Sequence, residues 1–231
     1  MNIWWIRRDL RLMDNIALAS ALAENKGVVP VFILDDHLIQ SNANKKLAFL
    51  FEGLKLLRED LRKKGSDLII RQGDPVIEIP ALAAEVDADR VFAEEDFSPY
   101  AIRRDEKIKR LLPLQLVQGL VIHHPTLVVK PDQTPYTIFT PFSKTWHSLP
   151  QPSSPLSAPD YLNKLPPLYS VSLPETSPVD TFLAGEKEAI YILHHFLENA
   201  LLDYANNRDR LDLDGTSSLS PYLHFGMLSS R

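Results

Sequence analysis

The chain contains no cysteine in its 231 residues, which excludes disulfides, thiolate metal sites and a cysteine nucleophile and fits a reducing compartment. It has no apolar run near the roughly 20 residues that a membrane-spanning helix needs. It also lacks the order of a secretory signal, charge first and apolar stretch after. Met1 to Asp9 instead puts two tryptophans ahead of Arg7, Arg8 and Asp9. A cytoplasmic protein with no membrane partner is the expectation. Basic charge is not in excess: 25 Lys and Arg stand against 30 Asp and Glu, for a net charge of −5. That balance is not the footprint of a free-standing nucleic-acid binder, so any DNA contact needs basic surface supplied elsewhere. Finally, there is no Gly-x-Gly-x-x-Gly after the first apolar run and no Gly-x-x-x-x-Gly-Lys-Ser/Thr anywhere. A Rossmann dehydrogenase and a P-loop NTPase are thereby disfavoured.

What is present is enough apolar material, 45% of residues, to build a core. Up to about residue 125, short runs rich in β-branched and aromatic residues alternate with helical patterns. The runs at 2–6, 28–34, 67–71, 90–93 and 115–122 read as buried strands. Between 45 and 64, Leu47, Leu50, Phe51, Leu54, Leu57 and Leu61 recur at intervals of three and four, forming one apolar stripe with Gly65 placed to end the helix. Asp74-Pro75 and Ser98-Pro99 open two further helices, since Asp caps well and proline is tolerated at the first helical position. An earlier helix begins near Asp14-Asn15. Strand–helix alternation predicts an α/β fold, a doubly wound parallel five-stranded sheet with helices on both faces, with ligands at the carboxyl ends of the strands. Residues 150–180 hold eight prolines, six serines and no glycine, which predicts an extended connector. Helical spacing returns from 186 to 204. The expected organisation is an α/β domain over 1–149, a Pro/Ser-rich connector over 150–185, and the incomplete opening of a helical domain over 186–231.

Several clusters sit where chemistry could occur. Arg7-Arg8-Asp9-Leu10-Arg11-Leu12-Met13-Asp14-Asn15 follows the first strand directly and reads either as a salt-bridged loop or as a ligand site. Asp35-Asp36 and Glu94-Glu95-Asp96 end two strands and could hold a ligand or be solvated. His123-His124 have no third ligand at metal spacing, so no metal site is expected. Thr134 to Trp146 predicts a turn and a short helix packing its rings on the sheet. Gly215-Thr216-Ser217-Ser218-Leu219-Ser220 could cradle a diphosphate at a helix start or merely cap that helix.

Three of these segments combine. Ile3 to Asn15 resembles the opening signature of the photolyase–cryptochrome family. Thr134 to Phe142 is similar to that family's segment at the end of its α/β domain, and Asp214 to Gly226 to its flavin-domain signature. The resemblance implies an α/β domain carrying a light-harvesting antenna chromophore and a helical domain holding FAD. It implies a carbon–carbon lyase: light-driven repair of cyclobutane pyrimidine dimers in UV-damaged DNA by electron transfer from reduced FAD, acting as a monomer. It implies FAD contacts at Tyr204, Thr216, Ser217, Leu219 and Ser220, a DNA contact at Arg208, and antenna contacts at Asp35, Lys46 and Asp96. Tyr100-Ala101 occupy the place of the Asn-Glu pair of folate types, which favours a deazaflavin or a flavin over folate, although Ser98 stands where a deazaflavin type tends to carry an acid. Ser218 and Leu211 also depart from the family pattern. No catalytic residue is expected within these 231 residues, and the chain alone is expected to lack photorepair activity. A cryptochrome-type blue-light photoreceptor and a non-catalytic antenna or nucleotide-binding module are the alternatives.

Overall fold

Successive side chains of a strand point to opposite faces of its sheet, and here that alternation sorts the apolar residues into two cores. In the computed structural model, which describes residues 1–39, 44–176 and 182–231, the strands are β1 (Asn2–Ile6), β2 (Val28–Leu34), β3 (Ile69–Gln72), β4 (Arg90–Glu94) and β5 (Leu114–Val117). They pair in parallel in the order β3-β2-β1-β4-β5. Trp4, Ile6, Phe32, Leu34, Ile70 and Phe92 face one core. Ile3, Trp5, Val31, Ile33, Ile69 and Val91 face the other. Helices α1 (Ile16–Ala23) and α3 (Asn44–Lys63) cover the first face; α4 (Pro75–Glu85) and α5 (Pro99–Lys109) cover the second. A single turn, α2 (Asp36–Ile39), follows β2. The caps are those the sequence offered. Asn15 accepts from the Leu18 amide at 2.8 Å, Asp74 from Val76 at 2.8 Å, and Ser98 from Ala101 at 3.3 Å.

Two expectations for the residues before 150 fail for physical reasons. The fifth strand stops at Val117 instead of 122, because its partner β4 ends at Glu94 and offers no further ladder. Gln118 then turns the chain, donating its amide to the carbonyls of Val121 and Ile122. The rings of 134–146 do not pack on the sheet. Both faces are already taken by the four long helices, so α6 (Phe139–Ser148) buries no residue and Phe139 stays 77% exposed. Trp146 lies edge-on to His123 instead, with ring centroids 4.8 Å apart. The connector is extended as expected, and residues 150–176 carry no regular element. It binds along the sheet: the Val171 amide donates to the Ile70 carbonyl at 2.9 Å, and the Ile70 amide to Ser170 Oγ at 3.0 Å. Its stretch 177–181 lies outside the described residues.

The last third holds α7 (Glu186–Asn199), α8 (Tyr204–Asn207) and α9 (Ser220–Phe225), so the helical pattern expected over 186–204 breaks after Asn199 and resumes only at Tyr204. Leu219, Tyr222, Phe225 and Met227 bury themselves in the α1/α3 core with Phe49 and Leu54. Gly53 makes room for them: a Cβ there would meet Met227 Cε at 2.1 Å.

The loop after β1 ties these parts together. Asp9 accepts from Trp4 Nε1 at 2.9 Å, from the Arg7 amide at 2.8 Å and from Asn15 Nδ2 at 3.1 Å. Arg11, buried, donates to Glu94 Oε1 at 2.8 Å, to the Asp14 carbonyl at 2.9 Å and to the Gly226 carbonyl at 3.1 Å. Glu186 accepts the Leu12 and Met13 amides at 2.8 Å each. Asp14 receives Arg231, Ser229 and the Leu156 amide. Of the two readings of this loop, its Asp9–Asn15 half is the salt-bridged one.

Two predictions follow from that loop. Gly226 has a φ of 66°, and a Cβ there would lie 1.8 Å from the Arg8 carbonyl oxygen. Gly226→Ala is therefore expected to destabilise the fold by about 2 kcal/mol or more, read as a shift in urea midpoint; an unchanged midpoint contradicts the packing described. Burial, with the Asp9 carboxylate adding to it, pushes Glu94 up to about 8 in spite of Arg11. Its Oε2 has no partner, so ionisation leaves a bare anionic oxygen. The folded state keeps this proton where the unfolded chain has lost it, so the stabilisation is present below about pH 4.5 and disappears as pH rises through about 8. Stability measured from pH 5 to 8 should fall by a few kcal/mol more in the parent than in Glu94→Gln; parallel profiles would refute the assignment.

Candidate functional site

In a doubly wound sheet a crevice opens where the strand order reverses, outside the carboxyl ends of the strands. Here the reversal lies between β1 and β4. The chain leaves β1 at Arg7-Arg8, β2 at Asp35 and β4 at Glu95-Asp96, and the crevice between them is a cavity of about 410 Å³. Its charged lining is Arg7, Arg8, Asp35, Lys46, Asp96 and Arg104. Its apolar walls include Phe32, Leu38, Ile39, Leu47, Leu50 and Phe225. An apolar cleft of this volume with a few converging polar groups suits a small molecule.

Most of these polar groups are held in place. Asp35 is buried and accepts the His37 amide at 3.0 Å and the Tyr100 hydroxyl. Burial, and after it the Asp35 carboxylate, raises the Tyr100 phenol, so Tyr100 stays a donor. The His37 ring stacks on Tyr100 with centroids 4.8 Å apart. Asp96 accepts the Ser98 amide at 2.9 Å. Burial opposes its ionisation, but Ser98, then Arg7 and Arg8, hold its carboxyl below the usual range. Arg7 pairs with Asp105 at 2.6 Å and also donates to the Glu94 carbonyl; Arg104 meets the same Asp105 at 2.9 Å. Both guanidinium groups lie over the Trp5 ring, at 4.9 and 4.6 Å. Lys46 comes from the first turn of α3 and lies 6.0 Å from the Phe225 ring centroid. Arg8 Nε donates to the His224 carbonyl at 2.9 Å.

A second cavity, of about 630 Å³, shares Lys46, His224 and Phe225 with the first and adds Lys45, Ser220 and Phe182. The hydroxyl and ammonium groups on its rim have the donor chemistry for a phosphate.

The structure thus brings Asp35, Lys46 and Asp96 into one cavity, with Ser98, Tyr100 and Ala101 beside them. It does not gather the five FAD candidates. Ser220 lines the second cavity, whereas Thr216 and Ser217 precede it on the loop and line neither. Leu219 is only 7% exposed and spends its side chain in the core, leaving its backbone for any ligand. Tyr204 sits on α8, edge-on to Phe196 at 5.7 Å. Arg208, the DNA candidate, is exposed at the end of α8 beside Asp209 at 3.5 Å. Sequence reasoning missed Arg104, His224 and Phe225. For Arg104 a signal existed, its four-residue spacing from Tyr100 in the helix after β4. Among the described residues, no three metal-ligating side chains converge; His124 meets Glu95 at 3.0 Å.

Comparison with known proteins agrees with this geometry. A deoxyribodipyrimidine photo-lyase from a Synechococcus strain is 32% identical over 253 aligned residues, which take in 99% of this chain and 52% of that enzyme. The crystal structure of a class III photolyase from Agrobacterium tumefaciens superposes with a TM-score of 0.88 at 28% identity, over 99% of this chain and 51% of that one. An archaeal photolyase from Sulfolobus tokodaii, described as having two FAD molecules with the implication of a novel light-harvesting cofactor, gives 0.84 at 26% identity, over 99% and 53%. The chain spans about half the length of these relatives. The family model for DNA photolyase matches residues 2–160, a span that takes in the whole sheet, the loop after β1 and the lining of the switch-point cavity other than His224 and Phe225, and the chain accordingly belongs to the DNA photolyase family.

Proposed function

We propose that this chain supplies the pigment-holding α/β domain (1–149), the connector (150–185) and the first part of the flavin-binding domain (186–231) of a deoxyribodipyrimidine photolyase, a carbon–carbon lyase acting on cyclobutane dimers in UV-damaged DNA. The observation that carries the reading is the convergence of Asp35, Lys46 and Asp96 on one apolar-walled cavity at the switch point. The antenna we assign there is a deazaflavin or a flavin. Tyr100 and Ala101 line the cavity in the place of a folate-binding Asn-Glu pair, and the volume suits a flavin-sized ring. The Sulfolobus relative, with its two FAD molecules, is consistent with a flavin antenna.

For FAD, the residues present fit the diphosphate. Ser220, Lys45 and Lys46 stand together, with Thr216 and Ser217 next along the chain. When bound and reduced, FAD supplies the light-excited electron that splits the dimer. The chain's own residues do the holding. Lys45 and Lys46 would neutralise phosphate and the Ser220 hydroxyl would orient it, Phe182 and Pro221 would keep water from one side of it, and Arg208 would meet the DNA backbone as a positioning contact. No helix among the described residues is long and apolar enough to cross a membrane. We assign the protein to the cytoplasm as a monomer.

Purified protein should bind FMN or 8-hydroxy-5-deazaflavin and show the matching visible band, with no folate band. Leu50→Trp, which fills the apolar wall, should weaken that binding about tenfold or more with the far-UV circular dichroism unchanged. A folate band, or binding indifferent to the tryptophan, removes the antenna assignment. Deleting the gene should abolish blue-light recovery from ultraviolet killing, and a deletion strain that recovers as its parent does would rule out repair.

A further inference from the structure

Away from the switch point, the connector leaves the sheet and returns to it. At one end the Leu162 amide donates to the Lys64 carbonyl at 2.7 Å, and Asn163 Oδ1 accepts the Val28 amide at 2.6 Å. At the other end Ser170 and Val171 pair with Ile70. Among the described residues, none of 164–169 hydrogen-bonds to the sheet or to α3; Leu165 and Leu168 hold this arch down by packing on the second core. Beneath it, at the amino end of β3, lies a cavity of about 460 Å³. It shares no residue with either cavity described above.

This cavity gathers positive charge from two separate segments. Arg58 and Arg62 reach it from the last two turns of α3 and Lys164 from the arch, against one carboxylate, Asp67. That carboxylate is fully engaged. It accepts Arg58 Nε at 2.6 Å and Nη2 at 3.3 Å, Arg62 Nη2 at 3.1 Å and the Leu68 amide at 2.7 Å. Burial opposes its ionisation, but Arg58 and then Arg62 hold its carboxyl below the usual range. Among the described residues, Arg58 Nη1 and Arg62 Nε and Nη1 are left without an acceptor, and Lys164 forms no ion pair. The end of α3 does not supply one, because the carbonyls of Asp60, Leu61, Arg62 and Lys64 already accept the amides of Lys64, Ser66, Gly65 and Leu162. Ser66 is an independent pointer to a ligand. It lines the cavity, is 8% exposed, and its hydroxyl has no hydrogen-bond partner. A buried hydroxyl left bare is destabilising, and an acceptor placed in the cavity offsets that loss.

We propose that the cavity under the arch binds a phosphate group, its oxygens met by Arg58, Arg62 and Lys164 while Asp67 holds the two guanidinium groups in position. A phosphate suits these donors better than a carboxylate does. Its terminal oxygens spread over a tetrahedron and can meet two guanidinium groups and an ammonium together, whereas a carboxylate offers two oxygens in one plane. The phosphate is either the free ion or the end of a small ester whose body lies against Ile69 and Leu165.

Trypsin cleaves after lysine, so the Lys164–Leu165 bond reports occupancy from within the arch itself. The protein is digested in phosphate-free buffer with inorganic phosphate, AMP or adenosine, and the fragments are weighed by mass spectrometry. Cleavage after Arg110, exposed at the end of α5, is the internal reference. Phosphate or AMP is expected to slow cleavage after Lys164 about fivefold or more relative to Arg110, with half the effect at about 1 mM or below. Stronger protection by AMP than by phosphate assigns an ester; equal or stronger protection by phosphate assigns the free ion. Protection should shrink to about twofold or less in Arg62→Gln and weaken with added sodium chloride. Calorimetry gives a second reading: Lys164→Gln should bind the same ligand about fivefold more weakly than the parent. Arg62 and Lys164 are both exposed, so these variants keep the fold and the urea midpoint of the parent. Cleavage after Lys164 indifferent to phosphate and AMP alike, adenosine protecting as well as AMP, or affinity unchanged in Lys164→Gln overturns the proposal.

Discussion

One buried guanidinium holds the architecture together. Arg11 reaches the end of β4 through Glu94, the turn before α1 through the Asp14 carbonyl, and the end of α9 through the Gly226 carbonyl. These are segments far apart in the chain, and no apolar contact could fix their mutual geometry as narrowly as three directed hydrogen bonds from one planar group. Around it, Asp9 and Glu186 accept backbone amides of the loop and Asn15 donates to the Arg11 carbonyl, groups that would otherwise lack partners. The cost is a carboxyl at Glu94 with one oxygen lacking a partner.

The switch-point cavity is a by-product of that arrangement. The reversal of strand order opens the crevice, but its far wall is Phe225 and His224, which stand there because α9 is latched to Arg8, Leu10 and Arg11. The same two side chains form a wall of the second cavity. Whatever occupies either cavity therefore presses on one shared partition, and the switch-point cavity is not finished without residues from the last third of the chain.

Much of the fold could be read from sequence because the sheet is parallel and covered on both sides. Such strands are unbroken apolar runs, so 2–6 and 28–34 match β1 and β2 to the residue. The strand expected over 115–122 overshot for the same reason: Leu120, Val121 and Ile122 look like strand residues, and only the length of β4 says otherwise. The exposed rings of α6 were illegible because local spacing cannot report that both sheet faces are already occupied. The approach of Asp35 to Asp96 follows from strand order, since β2 and β4 flank β1, whereas Lys46 reaches the same cavity from α3. The approach of Arg8 to His224 was not legible, since no local pattern encodes a contact across nearly the whole chain.

The extended strap over β3 has a further effect. By pairing Val171 and Ser170 with Ile70, it closes one margin of the sheet with a proline-rich segment that offers no ladder of its own. A free margin is a template on which foreign strands assemble. Nicking by a protease within the strap would expose that margin, so the segment that looks like a passive spacer also protects the protein from self-association through β3.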